Sequence, residues 1–166
     1  MKFSWALIFI FVSTSFSGMS VAAPAANEEL KSIEESIYIK RRKLSMSQLY
    51  KSVLLAFENN GYFVTFEPNI GKAMRPYAQR WGKDYNKNNV EEIRSMVLSN
   101  PWHANKIANA DPYLLAMFPI TVTLIQKGNF TTILFVRPSK VAEASRGLAA
   151  AKELENDIIR IFEHII

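Results

Sequence analysis

Residues 120–136, ITVTLIQKGNFTTILFV, decide the fold. Two arms rich in Thr, Val, Ile and Phe flank Lys127-Gly128-Asn129, and that pattern predicts an antiparallel hairpin. In the first arm Ile120, Val122 and Leu124 point one way and Thr121 and Thr123 the other, so one face packs on a core and the other is more polar. The second arm is apolar on both faces. It is therefore expected inside the sheet or against another subunit, not at an open edge.

Working back from the hairpin, Asn100-Pro101 and Asp111-Pro112 each set a capping side chain before a proline suited to the first helical position. They predict a short helix through Ile107 and one further helical turn. Ile93 to Leu98 reads as a strand. Nearer the N-terminus, Ser45 and Gln48 have capping-box spacing, and Leu49, Val53, Ala56 and Phe57 share one helical face. Gly61 supplies the left-handed residue that closes such a helix, and Tyr62 to Phe66 follows as a strand. Ile37 and Ile39 alternate with Tyr38 and Lys40, marking a first strand over Ser36 to Arg41 after a polar, helix-compatible lead from Asn27 to Glu35.

Beyond Pro138 the chain is expected to be helical to its end, with a break at Ser145-Arg146-Gly147. Leu148, Ala151, Leu154, Ile158, Ile161 and Ile165 form a stripe long enough to lie across a sheet. Strand, helix, several strands and a long C-terminal helix make an α+β domain, an antiparallel sheet with helices packed on one face. Between Pro68 and Asn89 the chain becomes rich in Lys, Arg, Asn and aromatics. Ile70, Met74, Tyr77 and Trp81 share a helical face there, with Pro76 as a kink or fresh start.

Residues 1–26 have the layout of a removable secretory signal: Lys2, an apolar run from Trp5 to Val12, and small residues ending Val21-Ala22-Ala23-Pro24-Ala25-Ala26. The run is shorter than the roughly 20 residues that span a bilayer, so no transmembrane helix is expected after cleavage. Residues 27–166 then form one domain, placed in the periplasm or outside the cell. Cleavage removes one Lys and no acid, lowering the formal charge from +5 to +4. In an exported protein that mild basicity points away from nucleic acid and towards anionic headgroups, wall polymers or an acidic envelope partner. The chain has no cysteine, which excludes disulfides, thiolate nucleophiles and Cys-ligated zinc.

At this point the chain resembles the domain-of-unknown-function 302 family, over roughly Ser36 to Ile166. The resemblance is carried, in order, by Gly61-Tyr62-Phe63, Asn100-Pro101, Ala110-Asp111-Pro112, Phe118-Pro119 and Arg137-Pro138-Ser139. It implies a β-α-β(4)-α domain akin to the saddle-shaped TATA-binding-protein-like fold, and dimerisation through the sheet. Many relatives have a cysteine just before the Asn-Pro turn and another near the hairpin's proline. Here Ser99 and the Phe118 to Ile120 step occupy those places.

No catalytic template is complete. There is no Gly-x-Ser-x-Gly elbow and no phosphate-cradling glycine loop. Glu34-Glu35 and Glu91-Glu92 are adjacent pairs whose side chains diverge, unlike the facing carboxylates of a glycosidase. His103, in the first turn of the helix after Asn100-Pro101, is the candidate base or ligand, with Ser99 and Asn100 beside it. The plainer reading of His103 is a surface histidine, and that of Asn100 is a helix cap. Arg75, Arg80, Trp81 and Lys83 combine planar donors with an aromatic, a mixture suited to carboxylate, phosphate or sugar recognition. With Asn100 and Trp102 they are the expected ligand contacts. Lys40-Arg41-Arg42-Lys43 is expected to be a solvated strand end, because successive strand side chains alternate faces.

The reading that emerges is an exported, non-enzymatic binding or accessory domain, homodimeric, that takes a small-molecule or acidic ligand or an envelope partner. No metal or cofactor is expected. The alternatives are an enzyme or stress-response factor built on His103, Ser99 and Asn100, and a peripheral envelope protein held by a basic face.

Overall fold

The computed structural model describes residues 33–165. The expected signal segment and the start of the polar lead lie outside the described residues. The chain enters through β1 (Ile37–Arg42), then α1 (Met46–Asn59), which is closed at its N-terminus by the Ser45 and Gln48 capping box. Gly61, at φ +76°, turns the chain into β2 (Phe63–Phe66). The basic aromatic segment forms short pieces: α2 (Ile70–Met74), a 3₁₀ turn over Arg75–Tyr77 with Pro76 in its first turn, and α3 (Ala78–Trp81). β3 (Glu92–Ser99) leads into α4 (Pro101–Ala110), which runs a turn-fraction past the expected Ile107. Next come the hairpin strands β4 (Ile120–Lys127) and β5 (Phe130–Val136), then α5 (Pro138–Val141) and α6 (Leu148–Glu163).

The five strands lie in the order β1-β5-β4-β3-β2, with every neighbouring pair antiparallel. β5, apolar on both faces, is an interior strand as expected, and β1 and β2 form the edges. One sheet face carries Tyr38, Met96, Leu98, Val122, Leu124, Ile133 and Phe135 into the core. Leu49, Val53 and Phe57 of α1 and Leu154, Ile158, Ile161 and Phe162 of α6 complete it from the other side. The ring of Phe162 lies 5.4 Å from both Tyr38 and Phe57, so β1, α1 and α6 meet in one aromatic cluster. A second, smaller cluster joins Ile107, Leu114, Ala142 and Ala151.

Two polar residues on the buried side of α6 do not follow the apolar stripe. Glu155 accepts from Arg137 Nη1 at 2.8 Å and from the Ser139 backbone N–H at 3.0 Å, tying the exit of β5 to the last helix. That contact gives Arg137-Pro138-Ser139 a structural task. Burial opposes ionisation of Glu155, but the donors from Ser139 and Arg137 outweigh it and hold the carboxyl below its ordinary value. The other polar residue, Asp157, belongs to the site described below.

The opposite sheet face carries no helix from α1 or α6. Cross-strand pairing lines up Ser95, Thr123, Leu134 and Ile39 in one row, and Ile93, Ile125, Thr132 and Arg41 in the next. Phe63 pairs with Ser99 and Phe66 with Val97, and Ser99 and Val97 share this face. In a regular strand, residues three apart point to opposite faces. The irregularity between Val64 and Phe66 removes that difference, so both phenylalanines lie on the open face, 62% and 64% exposed. The Lys40 to Lys43 run divides as expected: Arg41 lies on this face with its guanidinium 3.8 Å from the Phe130 ring centre, while Arg42 turns the other way with its Nε buried.

Candidate functional site

The turn after β3 organises the site. Asn100 Oδ1 accepts from the backbone N–H groups of Trp102 and His103, the capping predicted from Asn-Pro, and its Nδ2 donates to the Gly61 carbonyl at 3.2 Å. One side chain thus starts α4 and holds it against the turn that delivers Tyr62. Tyr62 and His103 then lie ring over ring, with centroids 6.1 Å apart.

Both converge on α6. Tyr62 Oη donates to Asp157 Oδ2 at 2.9 Å, and His103 Nε2 lies 3.2 Å from the same oxygen. Arg160, one turn along α6, donates to Oδ1. Burial works against a charge on Asp157, yet the hydrogen bonds from Tyr62, Arg160 and His103 prevail and hold the carboxyl below its usual value. Burial, reinforced by donation to Asp157, pushes the Tyr62 phenol well above its usual value. An ionised carboxylate only accepts, so the Nε2 of His103 carries the hydrogen. Its Nδ1, which has no hydrogen-bond partner among the described residues, is the nitrogen left to accept a hydrogen bond.

His103, Asp157 and Arg160 line a cleft of about 580 Å³ between α4 and α6, together with Asn60, Asn100, Trp102, Glu153 and Asn156, while Tyr62 lies buried behind them. Trp102 is 62% exposed at its rim. Lys106 reaches both oxygens of Glu153, at 2.5 and 2.6 Å, and its Nζ is 5.2 Å from the Trp102 ring centre. A second cleft of about 250 Å³ shares Asn60 and Arg160 and is bounded by His164. The two histidines of the chain therefore border neighbouring clefts, His103 the larger and His164 the smaller.

His103 is not the surface residue that its place at a helix start suggested: it is 5% exposed and hydrogen-bonded to Asp157. His103 faces inward while its neighbour Trp102 stays exposed, with Asn100 anchoring the start of α4 to Gly61. Ser99 is not brought to the cleft; it is the last residue of β3, opposite Phe63 on the open face. Asn100 and Trp102 line the His103 cleft, whereas Arg75 lines a separate one of about 380 Å³ with Met74, Tyr85 and Glu91. Arg80 and Trp81 are exposed, and Trp81 stacks on Tyr77 at 5.1 Å. The expected ligand and catalytic positions therefore do not share one cleft.

Sequence reasoning missed Tyr62, Asp157 and Arg160 as members of the site. A signal was present for Asp157, since Leu154, Asp157, Ile158 and Ile161 fall on one side of a 3.6-residue helix, and an acid on that side calls for a buried partner. Among the described residues, no group of three or more His, Cys, Asp or Glu is placed to hold a metal ion, and no helix is long and apolar enough to cross a membrane.

A family model described as "Domain of unknown function DUF302" matches residues 38–165. No curated protein matches the chain. Among solved structures, the chain is similar to the crystal structure of an uncharacterized conserved DUF302 protein from Bacillus stearothermophilus. The TM-score is 0.66 at 14% sequence identity, over 78% of this chain and 98% of that one. At that identity the likeness shows a shared fold.

Proposed function

The chain belongs to the DUF302 family, whose description names no activity, and from that premise we propose an exported, non-enzymatic binding or accessory domain, acting as a homodimer, with a small polar ligand seated between α4 and α6. The observation that carries this reading is the cleft itself. Its floor is fixed by the Tyr62, His103 and Asp157 contacts, its rim holds an exposed Trp102, and its volume lies within the range of roughly 300 to 1,000 Å³ usual for small-molecule sites. Support for the dimer comes from the sheet face that neither α1 nor α6 covers, where, among the described residues, Phe63, Phe66 and Val136 are each more than half exposed. Support for export comes from the N-terminal sequence pattern.

Native mass spectrometry of protein recovered from its own compartment, together with light scattering, tests the proposal. The expected result is a dimer carrying a small molecule that is lost in Asp157→Ala. An empty strict monomer overturns it. A second reading, an acid-base enzyme, is favoured by one observation: Asp157 orients a buried His103 whose Nδ1 remains uncommitted. Turnover of the captured molecule that disappears in His103→Gln while binding persists would establish that reading instead.

A further inference from the structure

We infer that the cleft between α4 and α6 takes an uncharged sugar ring, a pyranoside presented either free or as a unit of a polymer; this rests on the cleft being the ligand seat proposed above. Charge balance comes first. A site for a small anion keeps a cation uncommitted, and a site for a cation keeps a carboxylate uncommitted. Here Asp157 is taken up by Tyr62, His103 and Arg160, and Glu153 by Lys106. The two carboxylates are balanced by the two cations, so the cleft has no net charge that would draw an ion of either sign, and an anion would also face both carboxylates.

What remains available is amide and aromatic surface. Asn156 makes no side-chain hydrogen bond among the described residues, and Asn60 spends only its Nδ2, on the Ala56 carbonyl at 2.8 Å. An amide offers one donor group and one acceptor, which complements a hydroxyl able to do both. Trp102 adds a broad apolar face at the rim, suited to the C–H face of a ring whose edge is polar. His103, which also lines the cleft, keeps an Nδ1 with no partner among the described residues. A compact ligand with many hydroxyls and one apolar face satisfies all of these groups at once, and a sugar ring has that character.

Saturation-transfer NMR on the purified protein tests this, using methyl glycosides of glucose, galactose and N-acetylglucosamine, with citrate and inorganic phosphate as anionic comparators, each at low and high salt. Co-sedimentation with an insoluble N-acetylglucosamine polymer separates a polymer-bound ring from a free one. The expected result is binding of at least one glycoside or of the polymer, insensitive to salt, and weakened about tenfold or more in Trp102→Ala and Asn156→Ala. Both side chains are exposed, so these variants are expected to fold. Citrate or phosphate binding that fades with salt, with no sugar bound, overturns the sugar assignment while leaving the cleft as the ligand seat. Sugar binding unchanged in both variants also overturns it. No binding of any probe overturns it too, and the native mass spectrum then decides whether the cleft reading itself survives.

Discussion

The segment from Pro68 to Asn89 and the groove between α4 and α6 contain similar chemistry, arginines beside aromatics and amides, yet they are built in opposite ways. In the first, the interesting residues are neighbours in the chain and are spread over an exposed surface, with Tyr77 and Trp81 stacked on each other. In the second they are far apart in sequence and meet at one carboxylate: Tyr62 and His103 reach Asp157 across 95 and 54 residues. Local richness in functional groups is a property of composition. Convergence is a property of the fold, and only convergence lets partly buried groups change one another's protonation.

Substitutions can break that contrast, and the largest effect is expected at its centre. Asp157→Ala removes the acceptor of a buried phenol and a buried imidazole, and should lower unfolding free energy in urea by about 3 kcal/mol. Asn100→Ala, which loses the cap of α4 and the link to Gly61, should cost about 1–2 kcal/mol in the same measurement.

Acid sharpens the contrast further. Because the Asp157 carboxyl lies below its ordinary value when folded, the unfolded chain takes up the proton first. The stabilisation is complete above the unfolded value of about 3.9 and is lost as pH falls through the lower folded value. The stability gap between the parent protein and Asp157→Asn should therefore narrow between neutral pH and the acid side of that value, as read from urea midpoints at each pH. The smallest effects belong to the exposed segment: Arg80→Ala should change stability by no more than about 0.5 kcal/mol and leave ligand occupancy of the cleft untouched. A larger loss there would mean that the two regions are not as different as their geometry indicates.

The same contrast explains what could be read in the sequence. The hairpin, the two Asx-Pro caps, the Ser45 capping box, the break before Leu148 and the interior place of β5 all depend on residues a few positions apart, and each is present in the structure. Asn100 was correctly read as a cap because a cap is a local contact. His103 was misread because its burial depends on Tyr62 and Asp157, which the sequence does not place beside it. The expectation that Arg75 to Lys83 would join the Asn100 turn failed to find a shared cleft for a related reason. That segment breaks into α2, a 3₁₀ turn and α3, and its Arg75 faces a cleft shared with the start of β3.

Asp157 also gives the molecule a timetable. It lies in the last helix, and its partners Tyr62 and His103 are delivered by β2 and α4, so synthesis must reach residue 157 before the cleft can have its floor. Contacts separated by so much chain carry a large loop-closure cost and tend to form late in folding. The cleft, like the part of the core that Leu154, Ile158 and Phe162 fill, comes into being only when α6 docks.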